Sequence, residues 1–120
     1  EAAEIQYLNA HAPSTPIGDL SEVLAMKQVF GGMDGPMISS TKALSGHGLS
    51  LSSILESGIC MLAYKCGFVP GSANIDELMD EAEGLNIIRE TVEARPEYMM
   101  SNSSGFGGAN TSLIFRSCQS

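Results

Sequence analysis

The chain has 120 residues, with 14 acidic against 6 basic side chains and a net charge of −8, enough length for one compact domain with its own core. That balance argues against nucleic acid, whose phosphates it would repel. No apolar run approaches the roughly 20 residues that a bilayer span requires.

In chain order, Glu4–Ala10 reads as a short strand ending at His11. His11-Ala12-Pro13-Ser14-Thr15-Pro16 is a loop, because two prolines three apart prevent regular pairing. Ser14 or Thr15 then caps a helix with Pro16 in its first turn and Asp19 and Glu22 close behind, as the helix dipole favours. Leu20, Val23, Leu24 and Lys27 follow at helical spacing, and Gly31-Gly32 should end the helix. A second strand is expected over Met37–Ser40, followed by Thr41-Lys42-Ala43-Leu44-Ser45-Gly46-His47.

Between Ala43 and Ile75 the only charged side chains besides the titratable His47 are Glu56 and Lys65. Leu49, Leu51, Ile54, Leu55, Ile59, Leu62 and Cys66 occupy more than one helical face, the pattern of a helix buried nearly all round. Covering such a helix takes sheets or a partner on several sides. Residues 67–74 read as a loop, 75–83 as an acidic stretch of one or two helical turns, and Leu85–Thr91 as a strand. Tyr98–Asn102 and Thr111–Arg116, on either side of a glycine-rich tip, suggest paired antiparallel strands. Alternating strands and helices with a terminal antiparallel pair make the class α/β.

Cys60, Cys66 and Cys118 are odd in number and lack a CxxC pair, so neither a disulfide framework nor a zinc site is encoded. Buried reduced thiols in a cytoplasmic protein are the simplest reading. The first residue, Glu1, is not Met and a strand follows almost at once, which suggests a processed chain or a slice of a longer one.

Each histidine alone is weak evidence. Both, however, lie just past expected strands, and in open α/β sheets the carboxyl ends of strands face the ligand crevice. Three segments in order, Asn9-Ala10-His11-Ala12-Pro13-Ser14-Thr15-Pro16, Ser40-Thr41-Lys42-Ala43-Leu44-Ser45-Gly46-His47 and Ser101-Asn102-Ser103-Ser104-Gly105-Phe106-Gly107-Gly108-Ala109-Asn110, resemble the C-terminal part of a β-ketoacyl-[acyl carrier protein] synthase of the thiolase superfamily. The likeness spans about Ile5 to Phe115 and is nearest the bacterial type I synthases.

That resemblance implies a thiolase-like fold, layered α-β-α with a mixed sheet and a buried helix, in which residues 1–120 form the C-terminal portion of the synthase domain. It implies an acyltransferase of fatty acid or polyketide-type biosynthesis, in which an acyl chain held on cysteine condenses with malonyl carrier protein. His11, His47 and Lys42 would serve catalysis, while the nucleophilic cysteine lies in an N-terminal part outside this sequence. By the same resemblance Lys42 pairs with Glu22, Asp19 lends structural support, and Thr15 contacts the phosphopantetheine arm. The Phe106 backbone N–H, flanked by Gly105 and Gly107, would join an oxyanion hole while its ring gates the acyl pocket. The implied partners are the N-terminal part, the acyl carrier protein and a second subunit in a homodimer or heterodimer. Neither metal nor cofactor is implied beyond the carrier's phosphopantetheine.

The reaction needs two uncharged imidazoles, because loss of CO₂ from a malonyl thioester gathers negative charge on the thioester oxygen. His47, between Gly46 and Gly48 at the opening of the apolar helix, sits at a positive helix end that favours its neutral form. Where the family has Gly-Thr after the first histidine, this chain has Ala12-Pro13, and Pro13 should push Ala12 toward extended geometry. A pocket phenylalanine of the family is Ser104 here, and the small-residue run after the second histidine becomes Gly48-Leu49-Ser50-Leu51-Ser52-Ser53. A non-catalytic partner subunit, like a chain-length factor, is the alternative. The acidic balance makes this segment a poor docking face for an acidic carrier protein.

Overall fold

In a computed structural model, which describes residues 1–31 and 34–118, a four-stranded mixed sheet separates two helical layers. Its strands are β1 (Tyr7–Asn9), β2 (Met37–Ser39), β5 (Tyr98–Gly105) and β6 (Ala109–Arg116), in the order β2-β1-β5-β6. β1 pairs in parallel with both β2 and β5, and β6 returns antiparallel to β5. A separate antiparallel pair joins β3 (Phe68–Val69) to β4 (Val92–Glu93).

Alternation along β1 assigns the two faces. Leu8 and Ala10 meet Val23, Met26 and Phe30 of helix α1 (Pro16–Phe30), together with Ile38 and Ala82. Tyr7, with Met99, points the other way onto Cys60 of helix α3 (Ser52–Cys66) and Val69. The expected α/β class and layered arrangement are both present.

Helix α1 starts where the sequence places it, with Thr15 as N-cap and Pro16 in the first turn. Asp19 reaches back to accept hydrogen bonds from the Ser14 and Thr15 amides at 3.1 and 3.2 Å, satisfying donors that the helix leaves orphaned. The helix ends at Phe30, with Gly31 just beyond it; Gly32 of the expected stop lies outside the described residues.

Four expectations about the elements need correction. Residues 67–74, read as a loop, contain β3. The first strand is shorter than Glu4–Ala10, because Ala2–Glu4 forms a 3-10 turn. Leu85–Thr91 is not a strand: it touches β2 through one bridge, Ile38 to Ile87, because a tight turn in which Ile87 donates to the Leu85 carbonyl kinks it out of register. The other side of that segment abuts Gly71 so closely that a Cβ there would lie 2.5–2.6 Å from the Arg89 and Glu90 backbone. Finally, α3 is not buried all round within this chain. Its covered stripe is Ser52, Glu56, Ser57, Cys60 and Ala63, whereas Ile54, Leu55, Met61 and Leu62 are exposed. A helix that buries its small and polar residues and exposes its large apolar ones is built to be covered from outside.

Candidate active site

Because β1, β2 and β5 are parallel, their carboxyl ends share one edge of the sheet. His11 follows β1 by two residues. After β2 the chain turns through the short helix α2 (Lys42–Ser45) and Gly46, at φ +78°, to reach His47. β5 runs on past its pairing with β1 into the hairpin that carries Phe106. The strand ends thus bring His11 and His47 together, whereas Phe106 projects fully exposed from the hairpin tip.

The two imidazoles meet edge to face, with ring centroids 5.5 Å apart and planes at 88°. His11 is buried, and its Nδ1 has no hydrogen-bond partner. Its backbone is gripped by Glu22, whose two carboxylate oxygens accept from the His11 and Ala12 amides at 2.9 and 2.8 Å. Asn102 on β5 also donates to Glu22, at 3.4 Å, and accepts from the Ser112 hydroxyl at 2.8 Å. Glu22 therefore ties the end of β1 to the terminal hairpin.

His47 is exposed at the rim. Its Nδ1 accepts the Leu49 amide at 3.1 Å, and an amide can only donate. Nδ1 therefore carries a lone pair, which in the neutral ring places the proton on Nε2. This ring is a hydrogen-bond donor through its free nitrogen.

Lys42 is buried, and its ammonium is bonded to Glu56, which is buried more deeply still. The pairing of Lys42 with Glu22 implied by the resemblance is overturned. Glu22 lies on α1, in the opposite helical layer from α3, and its oxygens are taken by backbone amides. Glu56 is the functional residue that sequence reasoning missed, although it is the only acid in the apolar stretch from Ala43 to Ile75.

Burial lowers the His11 pKa below its ordinary 6.5, the Lys42 charge lowers it further, and the Glu22 and Glu56 carboxylates oppose the shift. His11 is thus neutral at pH 7. Because the unfolded chain takes up this proton first, the contribution to stability is intact above pH 6.5 and is lost as pH falls below it. An NMR titration is expected to place the His11 midpoint below 6.5; a midpoint above it would mean the ring is not desolvated.

The loop after His11 departs from expectation. Ala12 adopts φ +29°, not the extended geometry that Pro13 favours in the residue before it, and Ser14 follows at φ +66°. The two successive amides converging on Glu22 demand this turn, and alanine resists it. Ala12→Gly is expected to raise stability by about 1 kcal/mol, measured as a higher denaturation midpoint.

A cavity of about 680 Å³ opens beside the site, lined by Ala10, Ala12, Lys42 and His47 on one side and by Asn74 and Met79 on the other. Thr15 is exposed at the head of α1. Phe106 is fully exposed at the hairpin tip, between Gly105 at the end of β5 and Gly107 at φ +83°. Among the described residues no group of three or more His, Cys, Asp or Glu is placed to hold a metal.

Of the three thiols expected to be buried only Cys60 is, whereas Cys66 and Cys118 are exposed and lie away from this edge. Cys60 is buried, and burial pushes its thiol up to about 12, so it is not a thiolate at neutral pH. Cys66 ends α3, about 20 Å of helix from the end near His47. Cys118 follows β6, which runs away from the Phe106 hairpin.

Comparison with known proteins shows the family and the fold. The family described as "Beta-ketoacyl synthase, C-terminal domain" matches residues 1–76. The chain is 46% identical over 112 residues to 3-oxoacyl-[acyl-carrier-protein] synthase 1 of Escherichia coli, covering 93% of this chain and 27% of that protein. It spans about a quarter of the length of that curated relative. Among solved structures it superposes on the ishigamide ketosynthase/chain length factor with a TM-score of 0.92 at 31% identity, covering 99% of this chain and 29% of the other. A ketosynthase bound to a hexaketide, in complex with its type II polyketide acyl-carrier protein, matches with a TM-score of 0.90 at 26% identity, covering 98% and 29%. The chain belongs to the β-ketoacyl synthase family and matches the C-terminal domain of those enzymes.

Proposed function

We propose that this chain supplies the decarboxylation half of a 3-oxoacyl-[acyl carrier protein] synthase site. The observation that carries the reading is the contact of His11 with His47, one ring desolvated and the other held as an Nε2–H donor. Both rings then present N–H groups to the thioester oxygen of a malonyl group as its carboxylate leaves as CO₂ and the electron pair forms an enolate. The enolate carbon attacks the carbonyl of an acyl chain esterified to a cysteine on the N-terminal part of the synthase. The tetrahedral oxyanion collapses, the cysteine thiolate departs, and a carbon–carbon bond has formed. Lys42, held in place by Glu56, adds its charge to the desolvation that disfavours protonation of His11.

In this reading Thr15 meets the phosphopantetheine arm, and Phe106 with Gly105 and Gly107 forms the mobile wall and oxyanion contact of the acyl pocket. The acyl carrier protein, as in the type II complex, delivers the substrate, and no further cofactor takes part. The exposed large apolar face of α3 is covered by the cysteine-bearing part or by a second subunit. The reading as a non-catalytic partner subunit draws on Ala12-Pro13 and Ser104, and on the chain length factor in the ishigamide assembly. The retained histidine pair favours catalysis.

Mass spectrometry after incubation with an acyl donor tests this. A thioester adduct on a cysteine of the N-terminal part is the expected result. An adduct on Cys60, Cys66 or Cys118 overturns it, and an unacylated assembly that only stimulates another synthase selects the partner-subunit reading.

A further inference from the structure

Ser52 opens helix α3 with its side chain buried, five residues after His47. Among the described residues its hydroxyl makes one hydrogen bond, to His47 Nδ1 at 3.3 Å. The direction of that bond follows from the neighbour. The Leu49 amide already donates to the same nitrogen, so Nδ1 is an acceptor and the Ser52 hydroxyl donates to it as well.

The two donors differ in how they are held. Leu49 brings its amide to the ring only by adopting φ +52°, a conformation that L residues with bulky side chains seldom take. Ser52 stands on the first turn of a 15-residue helix and supplies a donor that needs no such distortion. Rotation of the ring by half a turn would strip both donors of their acceptor and leave a buried hydroxyl unpaired.

We propose that Ser52 is a positioning residue for His47, its hydroxyl holding the imidazole in the Nε2–H tautomer and edge-on to His11. This deepens the proposed function and rests on its reading of His47 as the donor to the thioester oxygen. Ser52 touches no substrate; it acts through the ring.

The test uses the synthase assembled with its cysteine-bearing part and labelled with ¹⁵N-histidine, the His47 signals being assigned by their loss in His47→Gln. The unsubstituted protein is expected to show the Nε2–H pattern. Ser52→Ala is expected to raise the Nδ1–H fraction several-fold and to lower kcat for malonyl decarboxylation about 5–10-fold, one hydrogen bond's worth, with KM little changed. Ser52→Thr keeps the hydroxyl and is expected to restore both. A folded Ser52→Ala protein with an unaltered nitrogen pattern overturns the proposal, whatever its kcat. A shifted pattern in an assembly that never releases CO₂ upholds the role of Ser52 and removes the condensation reading instead.

Discussion

Alanine in place of His47 is expected to slow CO₂ release from malonyl thioester by about 10²–10³-fold, the usual effect of removing one preorganised donor from an oxyanion site. Unfolding stability should fall by about 1–3 kcal/mol, because the buried Ser52 hydroxyl loses its acceptor. His11→Ala should produce a rate loss of the same order. Since the rings touch and are read as serving one oxygen, the double variant should lose much less than the product of the two single effects. CO₂ release, measured apart from condensation, reads this out. An unimpaired rate in His47→Ala would remove the ring from the chemistry, and independent multiplication of the two losses would place the rings on different oxygens.

The second large effect concerns stability. Glu56→Ala strands the buried Lys42 ammonium without its counter-charge, and breaking such a pair from one side is expected to destabilise by about 3–5 kcal/mol. Replacing both partners, as Lys42→Met with Glu56→Leu, should recover most of that, since paired burial contributes little net stability over a well-packed apolar substitute. The same double variant removes both the Lys42 charge that lowers the His11 pKa and the smaller opposing effect of Glu56, so the His11 pKa should rise only slightly relative to the unsubstituted protein. Denaturant midpoints and the His11 titration check the two halves separately. A Glu56→Ala protein as stable as its parent would show that water reaches the pair.

The site was legible in the sequence to the extent that it is made by strand ends. Parallel strands send whatever follows them to one edge, so the convergence of His11 and His47 could be read without a structure. The partner of Lys42 could not be read in that way. Glu22 sits at the expected place on α1, but two backbone amides compete for it, and only the fold shows them arriving together. The usable signal lay elsewhere, in Glu56 as the lone acid of an apolar helix, which needs a cation as much as Lys42 needs an anion. Leu85–Thr91 misled because β-branched composition reports a half-buried surface, not continuous pairing; one bridge is all it makes. The backbone of Ala12 was misread because a local preference before proline yields to a carboxylate that binds two consecutive amides.

The pairing of Tyr7 with Met99 has a consequence for how the protein comes into being. During synthesis, a nascent chain that has emerged only as far as α3 can join β1 to β2, yet the other edge of β1 stays open until more than thirty further residues have followed. The grip of Asn102 on Glu22 has to wait for the same late arrival. Such long-range closure is slow and leaves an adhesive strand uncovered meanwhile. The terminal hairpin and its tie to Glu22 are therefore the last parts of this fold to be set, and shielding of that edge by a chaperone should raise the yield of active material more than it raises the yield of soluble chain.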